Sequence, residues 1–209
     1  MRITHLGHSC LLVEDGDARV LLDPGVFSSG FAELTGLTGV LVTHQHADHL
    51  DQDALAGLLE RNPDAALHSD PGSAEQLAAK GVQATAVHAG DVLDLGTRVE
   101  VFGELHAVIH PDVPVIPNRC YLVGGRFFHP GDSFTVPAAE VEILGVPAGA
   151  PWLKISEAVD FLRAVAPRTA VPIHDKVLAV PEMSFNLLRQ LKPATTTFQV
   201  LDDGVPADF

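Results

Sequence analysis

The sequence predicts an α/β fold in which two β-sheets pack together and helices cover their outer surfaces. Three observations lead to this prediction: many short strand-like runs, only a few amphipathic stretches, and strands that repeatedly precede helices in the second half of the chain. The apolar face of a sheet must be buried against another layer, which a second sheet or a helix provides. No internal repeat, low-complexity tract or linker interrupts the 209 residues, so we expect a single domain over residues 1–209.

The strands are predicted from short apolar runs that turn residues separate. These runs are 3–6, 10–13, 19–22, 40–43, 97–105, 120–123, 126–129, 142–146, 170–173 and 196–201. Asp15-Gly16-Asp17 predicts the turn between the second and third strands. Gly124-Gly125 predicts a hairpin between 120–123 and 126–129.

The helices are predicted from apolar spacing and from residues typical of helix ends. Leu55, Leu58 and Leu59 form a stripe at helical spacing, and Asp70-Pro71 is typical of a helix start. A second stripe, formed by Ala158, Phe161, Leu162 and Val165, predicts a helix capped by Ser156 and ended before Pro167. Residues 181–192 predict the last helix.

The composition excludes several classes of protein. Hydrophobic residues make up 46% and charged residues 19%, as in ordinary globular proteins. No apolar stretch reaches the roughly 20 residues of a membrane span, and the start lacks the apolar core of a signal peptide, so we expect a cytoplasmic protein. The net charge of −14 and the absence of a Lys/Arg cluster disfavour nucleic-acid partners. Cys10 and Cys120 lie in apolar runs, where we expect buried, inert thiols.

The most informative segment is a dense run of metal-ligating side chains directly after the predicted strand 40–43. It contains His44, His46, Asp48 and His49. Such crowding is hard to explain as packing, because every imidazole edge must find a polar partner. Neutral imidazole and carboxylate are the ligands that zinc prefers. The run therefore predicts a divalent metal site at the end of a strand, where α/β proteins usually place their chemistry.

A complete site needs ligands from distant segments as well. His106, Asp132 and His174 each follow a predicted strand, where the strand would deliver them to a shared rim. Taken alone, a single histidine is more often a surface or core residue, and a Gly-Asp pair is a common turn. These three residues therefore become candidate ligands through their order in the chain.

That order resembles the metallo-β-lactamase superfamily. His44-Gln45-His46-Ala47-Asp48-His49 is similar to its HxHxDH motif, and His106, Gly131-Asp132 and His174 follow in the same order over essentially the whole chain. Asp23 resembles the early aspartate of the family. His49-Leu50-Asp51 and the opening His5-Leu6-Gly7-His8-Ser9-Cys10 are more similar to one branch, which contains ascorbate-6-phosphate lactonase and related uncharacterised metal-dependent hydrolases.

The resemblance implies a fold, a ligand set and a reaction. The fold is a four-layer αβ/βα sandwich of two mixed β-sheets. The implied ligands are His44, His46 and His106 for one metal, Asp48, His49 and His174 for the other, and Asp132 as a bridge. Two such ions would present hydroxide to a small ester, lactone or phosphodiester, and Asp48 would orient it and carry its proton. Zinc is the favoured metal, with manganese and iron as alternatives.

Two other classes of function stay open. One is a metal-bound ligand sensor without efficient hydrolysis, and the other is an iron-dependent oxidoreductase. The intact ligand set, including Asp48, argues against the sensor. Flavodiiron members of the superfamily typically carry Glu where this chain has His46, which argues against redox iron chemistry.

Other residues near these segments allow both a functional and a structural interpretation. His8 could hydrogen-bond a metal ligand, and His110 could contact substrate. His129 could simply close the hairpin. Trp152 and Lys154 could form an aromatic wall and a cation beside the cleft, which would suit an anionic small molecule. Specificity is expected in loops 26–38 and 111–119, and no feature indicates an oligomeric state.

Overall fold

The computed structural model describes residues 1–209 and contains two seven-stranded sheets and four helices, numbered below in chain order. In spatial order, the first sheet contains β14 (Pro206–Asp208), β1 (Arg2–His5), β2 (Leu11–Asp15), β3 (Ala18–Leu22), β4 (Gly39–Val42), β5 (Ala66–Ser69) and β6 (Thr85–Ala86). The second contains β13 (Thr197–Phe198), β12 (Thr169–Ile173), β11 (Ile143–Pro147), β10 (Phe127–His129), β9 (Cys120–Val123), β8 (Arg98–Phe102) and β7 (Val92–Asp94). The helices are α1 (Gln52–Arg61), α2 (Pro71–Ala79), α3 (Ile155–Val165) and α4 (Pro181–Leu191), and Phe31–Glu33 form a 3-10 turn.

Both sheets are mixed, and they change from antiparallel to parallel pairing partway across. In the first sheet, β14, β1, β2 and β3 pair antiparallel, and β3 to β6 pair parallel. In the second, β7 to β10 pair antiparallel, and β10 to β13 pair parallel. The parallel pairing places the carboxyl ends of β3 and β4 side by side, and likewise those of β10, β11 and β12.

The apolar side chains form three cores, which define four layers. The largest core lies between the sheets, where Leu22 and Leu41 of the first sheet meet Tyr121 and Ile173 of the second. A second core packs α1 and α2 on the outer face of the first sheet, and a third packs α3 and α4 on the outer face of the second. The predicted four-layer αβ/βα sandwich is confirmed. The expectation of one domain over residues 1–209 stays a prediction.

One predicted helix cap was wrong. The helix α3 begins at Ile155, one residue before the predicted cap Ser156, and Lys154 is its N-cap residue. The Glu157 carboxylate accepts a hydrogen bond from the Lys154 N–H at 3.4 Å, so the side chain at the third helical position satisfies the N–H of the N-cap residue. Ser156 therefore lies exposed in the first turn.

Two expectations drawn from composition can be compared with the structure directly. Cys10 and Cys120 are buried and unpaired, as predicted, and burial raises the pKa of the Cys120 thiol to about 11. None of the four helices has the length and apolar character that a bilayer crossing requires.

Candidate metal centre

The site lies at the edge of the sandwich where the carboxyl ends of strands from both sheets meet. His44 follows β4 of the first sheet, and His174 follows β12 of the second. His106 and Asp132 follow β8 and β10, which also belong to the second sheet. The two halves of the chain therefore contribute candidate ligands from opposite sides of the central core. The geometry is that of a rim built on rigid strand ends.

The loop between β4 and α1 is held by the start of the helix and by the neighbouring loop. The Asp51 carboxylate caps α1 by accepting from the Asp53 and Ala54 N–H groups at 3.1 and 3.0 Å. The Asp51 N–H donates to the Pro24 carbonyl at 2.8 Å. A Cβ at Gly25 would lie 1.9 Å from the Asp48 carbonyl oxygen, so only glycine permits this approach.

The seven residues predicted as ligands lie together in two adjacent clusters. The first cluster contains His44, His46, His106 and Asp132, and the second contains His8, Asp48, His49 and His174. Within each cluster, one potential ligand atom per residue lies within 4.8 Å of the others. Apart from His46 and Asp48, all of these residues are buried. His8 is the only member that was not among the predicted ligands.

Asp132 faces both clusters. Its Oδ2 lies 3.3 Å from the His106 Nε2 of the first cluster and 3.3 Å from the His174 Nε2 of the second. Its Oδ1 lies 3.1 Å from the His49 Nε2. A Cβ at the preceding residue, Gly131 (φ 57°), would lie 2.4 Å from the Asn118 Oδ1, so glycine is required there. Asp132 is therefore the one carboxylate placed between the two clusters.

Hydrogen bonds on the outer side of three rings orient the histidines His49, His106 and His174. His49 donates from Nδ1 to the Asp23 Oδ2 at 2.7 Å. His106 and His174 donate from Nδ1 to the carbonyls of Ala107 and Gly149, at 2.5 and 2.6 Å. These bonds leave each Nε2 free to face the centre, which is how metal-binding histidines are usually held. Asp23 thus supports a candidate ligand instead of acting as one.

The donor atoms that face the centre fit a metal. The Nε2 atoms of His49, His106 and His174 and the Oδ1 of Asp132 are buried and have no hydrogen-bond partner. Leaving a buried polar atom unpaired costs about 1–3 kcal/mol each, so four of them at one point would be costly. Imidazole nitrogens and carboxylate oxygens that converge in this way match the ligand chemistry of zinc, manganese and iron.

A family comparison agrees with this geometry. The sequence-family model that describes the β-lactamase superfamily domain matches residues 2–174. This segment ends at the last candidate ligand, His174. The chain belongs to the metallo-β-lactamase superfamily. The resemblance seen in the sequence is thereby confirmed.

Two curated relatives are similar to most or all of this chain. Protein Rv0786c of Mycobacterium tuberculosis is 52% identical over 215 residues, which cover 100% of both chains. A UPF0173 metal-dependent hydrolase of Alkaliphilus metalliredigens is 25% identical and covers 83% of this chain and 85% of its own. Such hydrolases agree with the branch that the sequence resembles.

Solved structures show that the superfamily fold carries more than one chemistry. Igni18, a metallo hydrolase from Ignicoccus hospitalis, has a TM-score of 0.75 at 21% identity and covers 100% of this chain and 98% of its own. CmlA, a diiron β-hydroxylase from Streptomyces venezuelae, has a TM-score of 0.71 at 19% identity and covers 99% of this chain and 53% of its own. At such identities the likeness extends to the fold alone.

The two clusters of the superfamily site differ in charge when no metal is bound. Burial lowers the pKa of His44 and of His46, so these rings are neutral at neutral pH. Burial also opposes the charge on His174, but the Asp132 and Asp48 carboxylates outweigh it and raise its pKa to about 9. The pKa of His49 is likewise raised, because Asp132 and Asp23 outweigh its burial. The protonated pair in the second cluster thus balances the carboxylates.

Three residues at the site have left-handed backbone, which is uncommon without glycine. They are His8 (φ 56°), Asp23 (φ 47°) and His174 (φ 60°), and the chain has only one other such residue outside glycine, Ala166. Backbone strain of this kind tends to collect at functional sites, where the surrounding structure maintains it. Nothing in the sequence signals these conformations.

One contact at the centre was missed by the sequence interpretation. Trp152, expected as an aromatic wall, donates from Nε1 to the Asp132 Oδ2 at 2.7 Å and is itself buried. The indole ring also packs in T-shaped geometry on His106 and His174, with ring centroids 5.8 and 6.4 Å apart. Trp152 therefore fixes the carboxylate that faces both clusters. A tryptophan followed by a helix start gives no local sign of this bond.

The remaining candidate residues lie outside the two clusters. His110 is largely exposed and accepts a hydrogen bond from the Asp112 N–H of its own loop at 3.1 Å. His129 is buried, donates to the Ser9 carbonyl and accepts from the Gly131 N–H, which supports the turn before Asp132. Lys154 is exposed and makes no ion pair, so it stays available to a ligand.

Proposed function

We propose that this metal-dependent hydrolase binds two divalent ions, one in each cluster, and cleaves a small ester, lactone or phosphodiester. The observation that carries the proposal is the position of Asp132 between the clusters, 3.3 Å from both the His106 and the His174 Nε2 atoms. His44, His46 and His106 would hold one ion, and Asp48, His49 and His174 the other. A single-metal site would not need a carboxylate aimed at both groups.

Two adjacent ions supply a water of lowered pKa and a Lewis acid for the oxyanion that develops on the substrate. The buried residues exclude bulk water from this centre, because Asp132, His44, His49, His106 and His174 are all at most 4% exposed. Such a dry, pre-arranged site makes electrostatic stabilisation stronger than in water. Trp152 holds the Asp132 carboxylate in place, so the orientation needs no rearrangement during turnover.

Asp48 is the carboxylate best placed to move a proton. Its side chain is 19% exposed, whereas that of Asp132 is 3% exposed, so Asp48 alone among the site carboxylates reaches the open side. Burial opposes its charge, but His174 and His8 outweigh that effect and lower its pKa. Asp48 is therefore ionised, and its position on the open side is what suits it to take a proton from the attacking water and pass it to the leaving group.

The identity of the metal separates hydrolysis from redox chemistry. Zinc is the ion we propose, with manganese and iron as alternatives, because histidine and aspartate serve all three. The diiron enzyme CmlA shares the fold, so an iron oxidoreductase is the second candidate. Metal analysis of the purified protein separates the two: zinc or manganese supports hydrolysis, whereas iron with substrate-dependent oxygen uptake contradicts it.

A substrate panel tests the hydrolytic step itself. Metal-loaded protein would be assayed with p-nitrophenyl acetate, γ-butyrolactone and bis-p-nitrophenyl phosphate, and we expect turnover of at least one. Lys154 follows Trp152 by two residues, is exposed and makes no ion pair, so it is a candidate partner for an anionic group on a small substrate. If none of the three classes is cleaved, the result contradicts the proposed hydrolysis and favours the ligand sensor.

We expect binding of the ion in the second cluster to depend strongly on pH. At neutral pH the metal-free His174, with a pKa of about 9, and His49, with its raised pKa, carry protons that the ion must displace. The affinity should therefore rise roughly tenfold per pH unit for each displaced proton, up to about pH 9. The rings of His44 and His46 are already neutral, so the first ion should bind with a shallower pH dependence.

Calorimetric titration with zinc at pH 6.5, 7.25 and 8 measures this difference. Repeating each titration in buffers of different ionisation enthalpy counts the protons released. We expect proton release on the second equivalent and little on the first. An equal pH dependence for both ions would contradict the assignment of charge to the second cluster.

Replacing His174 with alanine should remove one ion. The change deletes one of the three ligands proposed for that ion and leaves His44, His46 and His106 untouched. Metal content measured by mass spectrometry after dialysis should fall from two equivalents toward one. His88→Ala, at an exposed histidine far from β12 in the chain, is the matched control and should keep both. Retention of two equivalents in His174→Ala would exclude this residue as a ligand.

A further inference from the structure

His8 lies in the second cluster, yet its hydrogen bonds differ from those of the other histidines there. It is fully buried, and its Nε2 lies 3.1 Å from the Asp48 Oδ2 in hydrogen-bonding geometry. The Nε2 atoms of His49 and His174, in contrast, have no hydrogen-bond partner. The Nε2 that His8 turns toward the cluster thus already makes a hydrogen bond, to Asp48.

The tautomer of His8 follows from its other ring nitrogen. The Lys176 N–H points at the His8 Nδ1 at 3.3 Å, so Nδ1 accepts and carries no proton. In a neutral ring the proton must then lie on Nε2, which makes Nε2 a donor to the Asp48 carboxylate. A nitrogen that carries a proton cannot bind a metal. His8 is therefore a donor to a candidate ligand and not itself a ligand.

The backbone of His8 bonds to the other candidate ligand segment, which contains His174. Its carbonyl accepts the His174 N–H at 2.8 Å, and it also accepts the His5 Nε2 at 2.9 Å. The left-handed turn at Gly7 and His8 (φ 94° and 56°) brings this carbonyl and the ring to the same place. The imidazole then packs on that of His174, with ring centroids 4.0 Å apart.

We infer that His8 is a positioning residue that joins Asp48 to the His174 segment and so shapes the second metal site. Asp48 follows β4 of the first sheet, and His174 follows β12 of the second. His8 contacts both, through its Nε2–H on one side and through its carbonyl and Nδ1 on the other. It holds the Asp48 carboxylate in one orientation, and through that contact it supports the second ion. The inference rests on the two-metal function proposed above.

Two substitutions separate the hydrogen bond from the packing. His8→Phe keeps an aromatic ring of similar shape but removes the donor, whereas His8→Gln can place an amide N–H near the original Nε2. We expect His8→Phe to lower the affinity for the second ion about 10–100-fold, the usual cost of losing a partner of a metal ligand. We expect His8→Gln to recover most of it. The first ion should bind normally in both.

The readout is metal binding and not turnover. Each protein is titrated with Co²⁺, and the visible absorption of the second equivalent reports the geometry around that ion. His88→Phe repeats the chemical change at an exposed position and should match the wild type. Far-UV circular dichroism and thermal melting of the metal-free proteins confirm folding before titration.

The outcomes distinguish the inference from the function on which it rests. If the wild type binds fewer than two ions, the proposed two-metal function is wrong, and the role of His8 falls with it. If the wild type binds two ions and His8→Phe binds both with unchanged affinity and spectrum, His8 does not position Asp48. Equal losses in His8→Phe and His8→Gln would show that the ring matters through packing, which also overturns the inference.

Discussion

Asp48→Asn should abolish hydrolysis while leaving the fold intact. Asparagine keeps the volume of the side chain. It can still accept the hydrogen bond from the His8 Nε2, which lies 3.1 Å from the Asp48 Oδ2 in the wild type. It removes the negative charge and the ability to take up a proton. Since general acid–base catalysis contributes about 10²–10⁴-fold, the rate should fall by at least that factor. Turnover of whichever panel substrate the wild type cleaves is the measurement.

A neighbouring aspartate provides the matched control for this change. Asp51→Asn makes the same substitution three residues further on, at the N-cap of α1, where asparagine caps as well as aspartate. It should leave turnover and thermal stability unchanged. Metal content measured in parallel shows whether Asp48→Asn fails through the proton or through loss of the second ion. Wild-type turnover in Asp48→Asn would falsify the proposed mechanism.

The fold and the local part of the site were readable from the sequence because both depend on short-range patterns. The run from His44 to His49 is contiguous, so its density alone indicated a metal. Alternating apolar runs indicated most of the longer strands. The strand β5 and the edge strands β6, β7 and β14 were missed. The three edge strands have only two or three residues, none of them buried, and β5 (Ala66–Ser69) contains a single large apolar side chain, Leu67. β14 is a strand because it pairs with β1, which lies at the opposite end of the chain.

The contacts that organise the site were not readable, because they join residues far apart in the chain. His8 reaches Asp48 across 40 positions, and Trp152 reaches Asp132 across 20. Both depend on the meeting of two sheets, and His8 depends also on a left-handed turn that sequence patterns do not reveal. The distant candidate ligands His106, Asp132 and His174 were noted because each follows a predicted strand, but only the family resemblance distinguished them from other loop residues. Without it, each is a common loop residue after a strand.

Asp132→Asn should disrupt both clusters at once. The carboxylate lies between them, and an amide in its place loses one negative charge and turns an N–H toward either His49 or His174. We expect metal content to fall below one equivalent, in contrast to His174→Ala, which should keep one. Turnover should be lost with the metal. Inductively coupled plasma mass spectrometry after dialysis against a defined free-zinc buffer measures the difference.

The same substitution should also destabilise the metal-free protein. Near neutral pH the buried, protonated rings of His49 and His174 are balanced in part by Asp132, and removing one partner of a buried ion pair costs about 3–5 kcal/mol. Above pH 9 the His174 ring is neutral in the folded protein, so the difference in free energy of unfolding should shrink. Urea titrations at pH 7 and pH 9.5, with Asp112→Asn at an exposed site as control, measure both values. If Asp132→Asn retains two ions and wild-type stability, Asp132 neither bridges the clusters nor balances their charge, and the two-metal proposal loses the observation that carries it.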